Sequence, residues 1–276
     1  RQTFDVARVL GAIMIFCCHA SLFYHNYFGY FPVAIFFFIS GYGMEFTGSR
    51  LRALLRMPRF IAVFGFYSII YYLVYNDWYF PTAWFLLMYS LNMFVYRFWG
   101  SRSLLYLWFS FAFMYFFCLL DFSYYYWTLP LAFVMGVFVC RLRYFWSWSV
   151  AFVMACLSAF YFVVWCPVLL VLFFPLFLRL VFWFSSFSFL RPLARFAPLV
   201  FPFFSLHCWF LGLFGATWTL GGSFSLSFSL LSFLMSFVGA WLLWRFVPLF
   251  SKKKFFDKFP NNSESKYRKS YGYHDW

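Results

Sequence analysis

The sequence predicts an all-α, polytopic membrane helix bundle of about ten transmembrane helices with both termini in the cytoplasm. Three observations predict it. Of 276 residues, 66% are apolar, 31% aromatic and only 10% charged, with a mean hydropathy of +0.80, whereas a soluble domain carries about 25% charged residues. Basic clusters recur at intervals that leave room for two runs of about 20 apolar residues between them. All 21 Lys and Arg fall on one side of the predicted spans, in alternate connections or near the span ends beside them, as expected where the cytoplasmic side holds the basic residues. The formal net charge of +14 is therefore topological, and nucleic-acid binding is not expected.

Taken in order, the spans are predicted near 6–24, 30–47, 60–75, 82–99, 103–120, 124–140, 144–162, 165–183, 197–218 and 224–244. The first carries Arg8 and His19 inside its apolar stretch, with no small-residue cleavage site before the next span, so it is not a cleaved signal peptide. Basic residues stand at Arg1/Arg8, Arg50–Arg59, Arg97/Arg102, Arg141/Arg143, Arg179–Arg195 and Arg245–Lys269. The intervening connections hold Asp77, Asp121, Gly221 and Gly222 and no basic residue. Parity sets two spans into 144–190, with Arg179 snorkelling at an inner end and 184–196 lying along the interface. Residues 1–250 form the transmembrane domain. Residues 251–276, with seven basic and three acidic residues, form a cytoplasmic tail whose Lys252–Lys254 run suits an anionic leaflet. The chain opens on Arg1 rather than Met, so a few residues are expected to precede it.

Cys17, Cys18, Cys118, Cys140, Cys156, Cys166 and Cys208 lie almost entirely inside apolar runs and form no Cys-x-x-Cys pair, so they read as small buried hydrophobes. No metal site is expected. Ionisable groups inside spans are costly and therefore single themselves out. Arg8 and His19 are eleven residues apart; at 100° per residue that is about 20° past three turns, placing both on one helix face some ~16 Å apart. A histidine takes up and releases a proton near neutral pH. Glu45, near the inner end of the second span, is a candidate ion-pair partner of Arg8 or Arg52. Arg56 and Arg59 present two guanidinium forks, which suit phosphate. His207 lies near mid-membrane in the ninth span, where Pro202 predicts a kink. Taken singly, each of these groups also has an ordinary packing or topological role.

Together the motifs resemble the acyltransferase family 3 membrane proteins, which transfer acyl groups, often acetyl, to extracytoplasmic sugars. Asp5, Arg8 and His19 match the acidic residue, the Arg and, after ten intervening residues, the His that open that family. Phe37-Phe38-Ile39-Ser40-Gly41 is similar to its second-span Phe-Phe-x-x-Ser-Gly element, one residue shorter. Arg56-Met57-Pro58-Arg59 matches its cytoplasmic Arg-x-x-Arg, Trp84-Phe85-Leu86 its fourth-span aromatic element, and Ser205-Leu206-His207 a late, more widely spaced Ser/His element. Where some members place a glutamate after the fourth-span Trp, this chain has Met88-Tyr89-Ser90, so that glutamate has no counterpart.

The resemblance implies a ten-span core in a bacterial plasma membrane and an O-acyltransferase with no permanently bound cofactor. An acyl-CoA, acetyl-CoA in the family's usual chemistry, would be the cytoplasmic donor, and a glycan or lipid-linked saccharide the acceptor. His19 and His207 would be the catalytic residues; Arg8, Arg56 and Arg59 would bind the donor; Asp5, Ser40, Glu45 and Trp84 would support them. His19 would act as general base or as a transient acyl carrier, which the sequence does not separate. Two other classes fit the same residues: a lipid-linked-saccharide transporter whose path they line, and a non-catalytic partner in glycan assembly.

Overall fold

The computed structural model describes residues 2–20, 30–47, 65, 68–69, 71–74, 90–96, 98–100, 102, 132–137, 139–140, 170–214 and 226–247. Among the described residues all regular structure is helical and there is no strand. The long elements are α1 (Gln2–His19), α2 (Tyr30–Thr47), α3 (Leu170–Ser185), a 3₁₀ segment (Ser188–Leu199), α4 (Val200–Leu213) and α5 (Leu226–Phe246). Helix is the form expected of chain in hydrocarbon, because it satisfies every backbone polar group within the segment. Two helical runs, Ser188–Leu213 and Leu226–Phe246, are long and apolar enough to cross a membrane.

The predicted second span coincides with α2, and α5 lies within two residues of its predicted limits at each end. α1 starts earlier than its hydropathy suggests, because Asp5 sits in its first turn, where the helix dipole favours a carboxylate, and pairs with Arg8 at 3.0 Å. Short helical stretches at 71–74, 90–96 and 132–137 fall inside the predicted third, fourth and sixth spans. The predicted spans 103–120 and 144–162, and the tail, lie outside the described residues.

The expected interfacial segment 184–196 is largely the 3₁₀ segment, twelve residues long where runs of 3–4 are usual. Two prolines account for it. Pro192 and Pro198 have no N–H to close an α-helical bond, and the chain uses i→i−3 bonds instead, such as Leu190 N–H to the Phe187 carbonyl at 3.1 Å. Arg191 and Arg195 are exposed along it. Pro202 does not kink a helix beside His207, contrary to the sequence expectation. α4 begins at Val200, so Pro202 occupies its first turn, where the missing N–H has no intrahelical partner to lose.

Packing is organised around α1, which lies against α2, α3, the 3₁₀ segment and α4. On one side Ala7 joins Phe37 and Phe38 of α2, Met93, Phe133 and Leu178. On the other, Val9, Ala12 and Phe16 meet Leu199, Phe203, Leu211 and Ala240. The tightest approach is between α2 and the stretch 132–137. A Cβ added at Gly41 would run into the Phe133 carbonyl oxygen, and one added at Gly136 into the Phe38 carbonyl oxygen. The two backbones cross in direct contact, as small residues permit between helices in a bilayer.

α5 is built inside out by the standards of water. Ser229, Ser232 and Ser236 are buried to 3%, 0% and 0% exposure, while Leu226, Leu230, Leu234 and Val238 stand 61%, 56%, 59% and 51% exposed. The serine stripe faces α4: Ser232 Oγ donates to the Phe210 carbonyl at 3.2 Å across the helix pair and to Phe228 O at 2.7 Å within its own helix. Polar side chains turned inward and large apolar ones outward suit hydrocarbon as the solvent, since water would favour the reverse.

Candidate functional site

The last turn of α1 and the middle of α4 meet at a pair of histidines. His19 is the final residue of α1. His207 is the eighth residue of α4, seven after Val200, so the helix lifts it about 10 Å beyond the 3₁₀ segment. Their ring centroids are 5.2 Å apart with planes at 50°. Phe16, one turn before His19, fixes the approach of the two helices: its ring lies 6.0 Å from Phe203, 6.5 Å from His207 and 5.2 Å from Phe233 of α5.

His207 is 2% exposed and enclosed by rings. Phe203 stacks on it at 6.0 Å with an interplanar angle of 4°, and Phe204 lies at 5.3 Å. Its Nδ1 is 2.8 Å from the Phe204 carbonyl oxygen. A carbonyl oxygen only accepts, so Nδ1 carries the hydrogen, and the neutral ring keeps its lone pair on Nε2. That lone pair faces the Cys208 Sγ at 3.2 Å, where the thiol donates. Ser205, also buried, donates back to the Phe201 carbonyl at 3.0 Å, a bond within its own helix.

The sequence singled out His19 and His207 separately, and the structure brings them together. It also keeps Arg8 on α1, held by Asp5 at 3.0 Å, with the two side chains 32% and 25% exposed. The pair is half-buried and orients the guanidinium on the helix face. Glu45, whose expected partner was Arg8 or Arg52, accepts a hydrogen bond from the Tyr96 hydroxyl. Ser40 is half-buried on α2 beside the Gly41 crossing, in the region of the Phe133 cluster. Arg52, Arg56, Arg59 and Trp84 lie outside the described residues.

Cys208 is the residue that sequence reasoning passed over. Consecutive side chains on a helix point about 100° apart, so adjacency to His207 gave no reason to couple them. The donor atoms of His19, His207 and Cys208 all lie within 4.8 Å of one another. Two imidazoles and a thiol are also a donor set that zinc or copper(I) accepts, three ligands leaving one position open. Cys17, Cys18 and Cys140 are likewise free thiols. No protein-family model, curated protein or solved structure matches the chain.

Proposed function

We propose that this chain is a multi-pass membrane O-acyltransferase. In this reading it has ten spans with both ends in the cytoplasm. It moves an acyl group, acetyl in the first instance, from an acyl-CoA to a hydroxyl of a cell-surface glycan or lipid-linked saccharide. The observation that carries the reading is the meeting of His19 and His207, from helices far apart in the chain, with ring centroids 5.2 Å apart. A pair of imidazoles, His207 buried and His19 half-buried, with His207 held in a single tautomer by a backbone carbonyl, suits proton transfer from a hydroxyl to a leaving group. Packing alone does not call for two titratable rings in an apolar wall.

In the proposed reaction His19 takes the proton of the acceptor hydroxyl as its oxygen attacks the acyl carbon. Arg56 and Arg59, with Arg8 above them on the first span, hold the donor's phosphates at the inner surface, where planar guanidinium groups make paired hydrogen bonds to phosphate oxygens. The acyl thioester then extends along the Arg8–His19 face, about 16 Å long, towards the histidines. The direct test is purified protein in liposomes given acetyl-CoA inside and glycan acceptor outside, read by mass spectrometry of the glycan. Ester formation supports the reading, and its absence with every acyl-CoA offered overturns it.

Two further outcomes are expected. Cysteines introduced at Asp77 and at Gly221, in connections without basic residues, should react with an impermeant maleimide from outside the cell only; reaction from the cytoplasmic side alone sinks the ten-span topology. Arg56→Ala and Arg59→Ala should each weaken apparent donor affinity roughly tenfold or more, since a hydrogen bond to a charged group contributes about 1.5–3 kcal/mol. Membrane insertion should be unchanged. If donor dependence in both variants matches the parent, these arginines serve topology and not binding.

A further inference from the structure

The thiol of Cys208, the imidazole of His207 and the Phe204 carbonyl form a chain of three groups in contact. Sγ lies 3.2 Å from Nε2, and Nδ1 lies 2.8 Å from the carbonyl oxygen. This is the arrangement of an activated nucleophile: a nucleophilic atom against a base, and the base held in one tautomer and orientation by a third group. His207 is buried to 2% and Cys208 to 8% exposure, and the His19 ring lies 5.2 Å from the His207 ring between centroids, with its donor nitrogen within 4.8 Å of the other two donor atoms. A thiol that served only as a small hydrophobe has no need of an oriented base.

We propose that Cys208 carries the acyl group between donor and acceptor as a covalent thioester, a role that rests on the acyltransferase reading above. In the first half, His207 Nε2 takes the thiol proton as Sγ attacks the carbonyl carbon of the donor thioester. The carbon–sulfur bond to the donor breaks, and the departing thiolate receives that proton from His207, leaving as free thiol. In the second half, His19 takes the proton of the acceptor hydroxyl as its oxygen attacks the Cys208 thioester. The carbon–Sγ bond breaks, and the proton returns from His19 through His207 to Sγ. The sum is thioester plus alcohol giving thiol plus ester, with nothing else consumed.

The relay gives the two histidines different tasks and explains why both stand at one place. It also removes the need for donor and acceptor to occupy the site at the same moment, which matters when one arrives from the cytoplasm and the other from outside. One exchange of thioester for thioester is close to neutral in free energy, and the step to the oxygen ester is downhill, so the carrier is not a thermodynamic trap.

The test uses the full chain in liposomes with isotope-labelled acetyl-CoA and no acceptor. The expected result is one labelled acetyl per protein, on the peptide containing Cys208 and not on those with Cys17, Cys18 or Cys140, released by neutral hydroxylamine. Adding acceptor should discharge the label into glycan, with ping-pong kinetics. Cys208→Ala, checked for unchanged elution on size exclusion, should lose the label and slow transfer at least about 100-fold. Labelling of the parent needs no variant to fold, so it stands as an independent readout.

A parent that transfers acetyl while Cys208→Ala transfers within about twofold of it overturns the relay and leaves the acyltransferase reading in place. So does a label found on His19 in place of Cys208. Zinc or copper present at one equivalent in the purified parent and lost in Cys208→Ala also overturns the relay, since the three donors would then be ligands. A parent that moves no acyl group from any donor overturns both.

Discussion

His19→Gln is expected to lose acyl transfer from the thioester by at least about two orders of magnitude, the lower end of what a general base contributes. The amount of protein in the membrane should not change. Gln is close in size and offers a hydrogen-bonding atom at nearly the same reach, so a histidine that only satisfied a neighbour across the α1–α4 contact would be largely replaced by it. What Gln does not do is accept a proton. The loss should therefore be nearly as large as in His19→Ala, and it should fall on kcat rather than on donor binding, because the donor's phosphates are held elsewhere. Transfer by purified His19→Gln protein at close to the parent rate removes the base assignment and leaves the acyltransferase reading in place.

Gly41→Ala is expected to have a large structural effect for a single methyl group. The new Cβ would overlap the Phe133 carbonyl oxygen and lie 2.9 Å from the Phe133 carbonyl carbon and 3.2 Å from its Cα. All three are backbone atoms, which have no rotamer to turn away. α2 and the stretch 132–137 would have to part, opening a cluster in which Phe37 and Phe133 are fully buried. Overpacking of a close-packed core costs about 1–3 kcal/mol, occasionally more, and a backbone obstacle places this site at the upper end. Gly43→Ala is the control: nothing lies within 4 Å of its added Cβ. Heating detergent extracts and following the monodisperse peak on size exclusion separates the two. Equal thermal midpoints for Gly41→Ala and Gly43→Ala would show that the crossing is looser than its geometry requires.

Charge segregation and hydropathy made α2, α5 and the surface segment before Val200 legible, because they report which solvent a stretch of chain prefers. They do not report which faces meet. The hydrogen bond from the Tyr96 hydroxyl to Glu45 joins stretches about fifty residues apart in the chain, and neither hydropathy nor charge pattern reports such a meeting. Pro202 looked like a kink because the start of α4 was placed three residues too early, at 197 instead of Val200; proline in a first turn leaves no bond broken. His19 was legible as a costly group on the Arg8 face, and its meeting with His207 depended on Phe16 and Phe203, aromatic residues among many in a chain with 50 Phe. Cys208 was invisible for the same reason: one thiol among seven, distinguished only by the tautomer of its neighbour.

The Gly41–Gly136 crossing also sets a clock on biogenesis. The two glycines are 95 positions apart in the chain, and at about 5–20 residues per second of synthesis the ribosome delivers the second roughly 5–20 s after the first. In the ten-span reading proposed above, α2 enters the bilayer before this neighbour is made, and lipid or the insertion machinery fills the groove at Gly41 in the interval. Insertion and final packing are therefore separate stages for this helix. A nascent chain arrested before residue 132 should still hold its first helices in the membrane, yet it should remain a substrate for quality-control proteolysis until the later stretch arrives to displace what occupies its place.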